Sequence, residues 1–282
     1  MNKKIRLVTV TGSRTNILPH MLQHYTDLVD EIYVVVYEWE NFSTYDSVQK
    51  IVSYFPNAKI VRREIKEKYN WEYVTRLYNE TKLMHPNDWW IVADDDEFHM
   101  YSADLRQIID DCDLNGWELV RGGFIDRIGP DGTFPEIVDD VDIFHQFPLA
   151  GFFRYPLSGA CPNKVCIMKG YIEITSGQHY AKINGQTTWR WQGWNHPLIA
   201  PIETYNVQVH HFKWDSTCVQ RIKDVAAIKK EFSYSDEYQK MYQALRRNNF
   251  QIDTTEPEFM FEECGWFWYE QWDKLFKKII SI

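Results

Sequence analysis

The chain has 282 residues, of which 44% are hydrophobic, so it can bury a sizeable core and is too apolar for wholesale disorder. Its net charge of −9 argues against a protein that binds nucleic acid by neutralising phosphates. The five cysteines form no C-x-x-C pair, which argues against a disulfide framework and a zinc knuckle and favours a reducing compartment.

Strands and helices alternate through the first third of the sequence. Apolar runs predict strands at 5–11, 31–37, 59–63 and 89–93, and amphipathic runs predict helices at 18–28, 45–54 and 69–84. Asn70 is the expected N-cap of the third helix. Near-continuous apolar strands separated by helices are typical of a parallel sheet that is covered on both faces.

Beyond the fourth strand the pattern becomes less regular. We expect a helix capped by Ser102, then a strand at 117–121. The region 122–214 is rich in glycine, proline and aromatic residues and contains short strands at 164–168 and 207–212. The last part predicts helices at 218–231, at 235–247 and from 267 to 280.

Four carboxylates follow the fourth predicted strand without a spacer, in the stretch WWIVADDDEF. Burying them together is costly unless a cation lies nearby. In an extended segment Asp94 and Asp96 would point to one side and Asp95 to the other, and two converging carboxylates suit Mg²⁺ or Mn²⁺. The alternative is a solvated acidic turn in front of the next helix.

A pair of histidines in a late strand could complete such a site. In VQVHHFKW, His210 and His211 should face opposite sides of the strand, so that one of them can face a metal. A neutral imidazole suits Mn²⁺ better than Mg²⁺. Lys213 shares the side of His211 and could meet a phosphate, whereas a histidine pair alone is more often structural.

These motifs together resemble the GT-A fold glycosyltransferases that use nucleotide sugars, above all the family-two-like members. IVADDDEF resembles their D-x-D-E-F metal motif, SRTNILPHMLQHY resembles their opening, and HHFKW is similar to their late histidine. The resemblance covers residues 5–215. It implies a Rossmann-like α/β fold, with a mostly parallel sheet, helices on both faces, an irregular acceptor half and C-terminal helices.

The resemblance implies a hexosyltransferase-like enzyme that moves a sugar from a nucleotide sugar, most simply a UDP-sugar, to a glycan or other hydroxyl acceptor. Asp94, Asp96 and His211 would hold Mn²⁺ or Mg²⁺. The residues that we expect to bind the donor are Thr11, Gly12, Arg14, Glu38, Arg76, Asn79, Asp94, Asp95 and Lys213.

The expected domain organisation follows from the same resemblance. A catalytic domain would span residues 1–215, with a nucleotide-sugar half at 1–121 and an acceptor half at 122–215. Residues 216–282 would form a helical extension packed on that domain.

Sugar transfer also needs a general base for the acceptor hydroxyl. Asp126 in GGFIDRIGPDG is the candidate, because two glycines allow close approach to a ligand and a predicted strand precedes it. The alternative is an Asp126–Arg127 pair in an ordinary turn. Glu173 and Asp131 are rivals for the base, and inversion and retention both stay open.

Two aromatic stretches have both a functional and a structural interpretation. Residues 176–197 place His179, Trp189, Trp191 and Trp194 in one polar region, which suits either a sugar platform or a core cluster. The C-terminal stretch GWFWYEQWDKLFKKII predicts an amphipathic helix that docks on the catalytic domain or contacts a membrane surface.

Two rival functions share some of these features. A nucleotidyltransferase also uses paired aspartates and a divalent metal, but TGSRTN carries only one basic residue for a phosphate loop. A non-catalytic glycan-binding module would keep an aromatic groove and bind no nucleotide. The apolar run at the start is too short for a signal peptide and no stretch is long enough to span a membrane, so we expect a soluble, cytoplasmic protein.

Overall fold

The computed structural model describes residues 3–39, 43–188, 196–227, 234–259 and 262–263. The strands in these residues are β1 Ile5–Thr11, β2 Glu31–Trp39, β3 Ala58–Lys66, β4 Trp89–Val92, β5 Glu97–Tyr101, β6 Leu119–Ile128, β7 Leu149–Gly151, β8 Asn163–Lys169, β9 Glu173–Ile174, β10 Ala181–Ile183, β11 Gln186–Thr187, β12 Val207–His211 and β13 Glu262–Glu263. The helices are α1 Leu18–Thr26, α2 Tyr45–Val52, α3 Trp71–Lys82, α4 Leu105–Asn115, α5 Ile143–Gln146, α6 Arg154–Ser158, α7 Cys218–Ala227 and α8 Ser235–Arg247.

The chain divides into two units. The first contains residues 1–122 and 163–209, and the second contains residues 123–162 and 210–282. A catalytic domain over 1–215 with a separate helical extension stays a prediction.

The sheet of the first unit has the strand order β6-β8-β4-β1-β2-β3. Strands β4, β1, β2 and β3 are parallel to one another, and β8 is antiparallel to β4. The predicted α/β fold class with a mostly parallel sheet is therefore confirmed.

Helices cover both faces of this sheet, because successive strand residues point to opposite sides. Val8, Val35 and Tyr37 pack in one cluster with Leu77 and Tyr78 of α3. Helices α1 and α2 contact each other and β2, and their buried side chains do not belong to that cluster. The core thus lies in two layers, one on each side of the strands.

The order of the parallel strands creates a crevice at one edge of the sheet. The chain runs from β1 to β2 and β3 on one side, and β4 then lies on the other side of β1. In open α/β sheets, ligands bind outside the carboxyl ends of the strands at such a reversal. Thr11 at the end of β1 and the carboxylates after β4 are neighbours at this point.

The break at residue 122 falls inside β6. In the second unit the last residues of β6, 126–128, pair antiparallel with β7, and β13 pairs antiparallel with the same strand. Its core joins Ile128 and Trp214 to side chains of α7 and α8, including Ile222, Met241 and Leu245. Helix α8 has the predicted bounds, and α7 begins at the predicted Cys218. The last predicted residues of α7, 228–231, and the predicted helix at 267–280 lie outside the described residues.

Two expectations about the middle of the chain are wrong. The carboxylates are followed by strand β5, and the next helix is capped by Asp104, whose side chain accepts from the backbone N–H groups of Arg106 and Gln107. Strand β6 also runs on to Ile128, so the stretch GGFIDRI lies within a strand. Its last residues pair with β7, a contact between distant segments that no local pattern indicates.

None of the helices in the described residues has the length and apolar character needed to cross a membrane. Whether the stretch after residue 264 contacts a membrane surface stays a prediction.

Lys82 of α3 is a buried lysine that should make stability depend on pH. Burial lowers the pKa of Lys82 to about 7, and its ammonium donates to the carbonyl of Ile172 and lies 3.3 Å from the sulfur of Met168. Between pH 7 and the ordinary lysine pKa, the unfolded chain binds one more proton than the folded chain. The free energy of unfolding therefore rises with pH in this window, by up to about 1.4 kcal/mol per pH unit.

We expect Lys82→Met to remove this contribution. The variant should gain stability relative to the natural chain at pH 7, and the gain should shrink towards pH 9 in urea unfolding. Lys50→Met, at an exposed position of α2, is the control and should show no such trend. A difference between Lys82→Met and the natural chain that stays constant with pH would contradict the account.

Candidate functional site

The carboxylate segment is a turn. The backbone N–H of Glu97 donates to the carbonyl of Asp94 at 3.0 Å, and β5 begins at Glu97. The expectation of an extended segment is therefore wrong, and a metal shared by Asp94 and Asp96 stays a prediction. Arg14 lies close to both Asp95 and Asp96, whereas Asp94 accepts a hydrogen bond from Tyr78.

Asp94 is oriented by neutral hydrogen-bond donors. The hydroxyl of Tyr78 donates to its Oδ1 at 2.7 Å, and the amide of Gln178 donates to the same atom at 2.9 Å. The Tyr78 oxygen also accepts from the backbone N–H of Val10 at 3.2 Å. Burial raises the pKa of Tyr78 well above its ordinary value, so this phenol stays a donor at neutral pH.

Asp95 and Asp96 face the loop that follows β1. The hydroxyl of Thr11 donates to Asp95 Oδ2 at 2.7 Å. The guanidinium of Arg14 donates to Asp96 and lies 3.6 Å from Asp95 Oδ1. Burial raises the pKa of Asp95 to about 7, although the positive charge of Arg14 opposes this effect.

Lys164 of β8 brings a second positive charge to the cluster. Ile167 of β8 pairs with Ile91 of β4, and continuing this antiparallel register places Lys164 opposite Asp94. Its buried ammonium lies 2.6 Å from Glu97 Oε1 and 3.8 Å from Asp94 Oδ2. It also donates to the Gly177 carbonyl at 3.2 Å. Burial raises the pKa of Glu97 to about 8, and Lys164 opposes this effect.

The donor set fits a divalent cation. The segment offers four carboxylates, which are the hard oxygen ligands that Mg²⁺ and Mn²⁺ prefer. Arg14 and Lys164 bring two positive charges to these four carboxyl groups. A divalent cation at the same oxygen atoms would favour their ionised forms further.

Gly12 lets the loop after β1 press against β2. A Cβ atom at this position would lie 1.7 Å from the carbonyl oxygen of Tyr37, so any other residue would force the backbone to move. The Thr44 hydroxyl donates to the Gly12 carbonyl at 2.9 Å and holds the loop from its other side. The first residues of this loop are therefore anchored next to the carboxylates.

Glu38, at the end of β2, is engaged by the start of α2. Its Oε1 accepts from the backbone N–H groups of Thr44 at 2.6 Å and Tyr45 at 2.9 Å. Its Oε2 accepts from Arg63 at 2.8 Å. Burial alone would raise the pKa of Glu38, but these bonds more than offset it and the pKa is lowered. This carboxylate holds the local structure together, and its contact with a donor stays a prediction.

Two expected donor residues on α3 have partners within the first unit. Arg76 is exposed, lies 3.3 Å from Glu80 and stacks over the ring of Tyr73. The side-chain amide of Asn79 exchanges two hydrogen bonds with the backbone of Ile174, at 2.9 and 3.0 Å, and so holds β9 on α3. Their contacts with a donor stay predictions.

Glu173 and His179, also in the first unit, are not part of the carboxylate cluster described above. Glu173 is half exposed and pairs with Lys182. The His179 ring bonds the Asn163 carbonyl at 2.8 Å. The three tryptophans expected beside His179, at positions 189, 191 and 194, lie outside the described residues. A sugar platform there stays a prediction.

Asp126 is buried in the second unit and accepts three hydrogen bonds. Its partners are the ring Nδ1 of His211 at 3.2 Å, the indole N–H of Trp214 at 3.0 Å and the backbone N–H of Arg154 at 3.3 Å. Burial would raise the pKa of Asp126, but the His211 bond and nearby cations lower it. The alternative Asp126–Arg127 turn pair does not form, because Arg127 points to His210 at 3.0 Å.

The histidine pair faces two directions, as the strand pattern predicts. His211 contacts Asp126, whereas His210 contacts Arg127 and packs against Phe144. Because His211 Nδ1 donates to a carboxylate, its Nε2 carries the lone pair that could bind a metal or take a proton. Asp94 and Asp96 belong to the first unit and His211 to the second, so their common metal site stays a prediction.

Lys213 and Asp131 complete the set of expected residues. The ammonium of Lys213 donates to the hydroxyl of Tyr238 at 2.9 Å, within the second unit. Asp131 is exposed in a turn and has a positive φ of 53°. A phosphate contact for Lys213 stays a prediction.

Sequence reasoning missed Tyr78, Lys164 and Gln178, which position the carboxylates. Lys164 carried a usable signal, since a lysine in the apolar strand NKVCIMK needs a buried partner. Tyr78 and Gln178 carried none, because they reach Asp94 only through tertiary packing.

No family model matches the chain, and no curated protein matches it. Solved structures resemble it weakly. TarS 1–349 from S. aureus has 13% identity and a TM-score of 0.39, covering 90% of this chain and 76% of that chain. The same protein in complex with UDP-GlcNAc has 13% identity and a TM-score of 0.37, covering 87% and 72%.

A further similar structure is that of 4-diphosphocytidyl-2C-methyl-D-erythritol synthase. It has 16% identity and a TM-score of 0.33, covering 61% of this chain and 77% of that chain. The fold class rests on the strand order of the chain itself.

The buried pair of Lys164 and Glu97 generates a prediction about stability. Lys164→Met should lower the unfolding free energy by about 1–3 kcal/mol at pH 7, because it leaves the buried oxygen atoms of Glu97, Gly177 and Gln178 without their donor. Adding Glu97→Gln should recover part of this loss. Both effects can be measured by urea unfolding in a double-mutant cycle.

The control is Lys182→Met, which removes the lysine of an exposed pair with Glu173. This change should cost no more than about 1 kcal/mol. A similarly small cost for Lys164→Met would show that the cluster does not depend on Lys164.

Proposed function

We propose that the chain is a metal-dependent glycosyltransferase of the GT-A type, which transfers a sugar from a nucleotide sugar to a hydroxyl acceptor. The observation that carries this proposal is the place of the carboxylates. They lie at the carboxyl end of β4, next to the carboxyl end of β1, where the strand order reverses. Nucleotides bind at this point in doubly wound sheets.

The chemistry of the donor explains why carboxylates stand there. A bound divalent metal would stabilise the negative charge that develops on the leaving diphosphate. Asp94 and Asp96 would hold it, with His211 as the third ligand that the sequence resemblance implies. Asp94 is pre-oriented for this task by Tyr78 and Gln178, so little reordering would be needed.

The loop after β1 would receive the nucleotide. Gly12 brings its backbone against β2, and Thr11 fixes it to Asp95. A UDP-sugar is the donor that we propose, with a carbohydrate as the acceptor.

Asp126 keeps its proposed role in activating the acceptor. Its carboxylate is buried and bonds the imidazole of His211, so in this proposal it would act on the hydroxyl through that ring. Glu173 is the weaker candidate, since it is half exposed and paired with Lys182.

Asp96→Ala tests the metal site. This variant should lose Mn²⁺-dependent UDP binding in calorimetric titration and keep its circular dichroism spectrum, because it removes a proposed ligand while Asp95 remains as a partner of Arg14. Asp110→Ala, which removes an exposed carboxylate of α4, is the control and should bind like the natural chain. Retention of metal-dependent binding by Asp96→Ala would refute the proposed ligand.

Asp126→Asn tests the proposed base. It keeps the shape of the side chain and removes its basicity, so sugar transfer should fall by roughly 10²–10⁴-fold while UDP affinity stays nearly unchanged. Asp139→Asn, at an exposed position of the same unit, should transfer sugar at the natural rate. If Asp126→Asn loses Mn²⁺ affinity in step with its rate, Asp126 acts by orienting His211 and not as the base.

A further inference from the structure

Arg14 is bonded to one of the proposed metal ligands. Its guanidinium donates to Asp96 Oδ2 and lies 3.6 Å from Asp95 Oδ1, so a metal that bound this Asp96 oxygen would compete with it. The side chains of Arg14 and Asp96 are each only 10% exposed. Separating such a pair is costly unless another cation replaces the arginine.

The two cations of the cluster are held in different ways. Lys164 sits in the middle of the sheet on β8, is 1% exposed and bonds Glu97, Gly177 and Gln178. Arg14 lies in the loop between β1 and α1, three residues after the strand ends. A change of partner by Arg14 needs only a loop side chain to turn, whereas Lys164 would have to leave a packed strand.

The chemistry of arginine suits an exchange between carboxylate and phosphate. The planar guanidinium binds both groups through the same pair of parallel N–H bonds. Arg14 reaches Asp96 from the loop that we propose receives the nucleotide. A diphosphate bound at this loop would offer its guanidinium a second anionic partner.

On the basis of the proposed function, we propose that Arg14 is a placeholder cation. It compensates Asp95 and Asp96 as the structure shows, and it turns to the diphosphate when a metal takes its place. A metal alone must displace Arg14 without offering it a new partner, so it binds weakly. A metal with a diphosphate offers that partner, so the two ligands bind cooperatively, and the coupling is reciprocal.

Arg14→Ala should shift the two affinities in opposite directions. Calorimetric titration with MnCl₂ alone should show tighter binding, by about tenfold, because no guanidinium competes for Asp96. Titration with UDP in saturating Mn²⁺ should show binding weaker by about tenfold, because the diphosphate loses its partner. The factor by which Mn²⁺ raises UDP affinity should fall accordingly.

Two variants serve as controls. Arg14→Lys keeps the positive charge and loses the pair of parallel N–H groups of the guanidinium. Its affinity for Mn²⁺ alone should therefore stay close to that of the natural chain. Arg62→Ala removes another arginine that bridges two carboxylates, Glu64 and Glu80, away from the cluster, and should leave every affinity unchanged. If circular dichroism shows that Arg14→Ala does not fold, Arg14→Gln takes its place in the same titrations.

The outcomes separate this inference from the proposed function. If the natural chain binds Mn²⁺ and UDP but Arg14→Ala binds Mn²⁺ no more tightly, the placeholder role is overturned and the proposed function stands. If the natural chain binds neither ligand, both are overturned.

Discussion

Carboxylates that are buried close together repel one another and need positive charge nearby. In the first unit this constraint applies at the turn after β4, where Arg14 and Lys164 provide that charge. Four consecutive carboxylates lie at the end of a fully buried strand. Two buried carboxyl groups, Asp95 and Glu97, have pKa values raised by burial. Arg14 from a loop and Lys164 from a neighbouring strand bring positive charge to these groups. Asp94 accepts hydrogen bonds from neutral donors.

The strand order explains why these groups meet. Because β4 lies beside β1 and not beyond β3, the loop after β1 and the turn after β4 share one edge of the sheet. The antiparallel β8 then brings Lys164 to the same edge from the opposite chain direction. Each partner arrives from a different part of the sequence, so the cluster forms only when the sheet is complete.

The sequence predicts those elements that depend on interactions between residues close together in the chain. The strands and helices up to residue 93 follow apolar periodicity, and Asn70 caps α3 as expected, since its side chain accepts from the N–H of Tyr73. Strand β5 and the far half of β6 were missed because their pairing partners are distant in sequence. The carboxylates were found by composition, but their turn geometry was not, because Arg14 and Lys164 reach them through tertiary contacts.

The central proposal is that the edge of the sheet between β1 and β4 binds a metal and a nucleotide diphosphate together. A crystal structure of the chain grown with MnCl₂ and UDP tests it most directly, because manganese can be located by its anomalous scattering. The account predicts an anomalous peak within coordination distance of Asp94 and Asp96, with the diphosphate between that peak and the loop after Thr11. UDP bound elsewhere, or a peak away from these carboxylates, would contradict it.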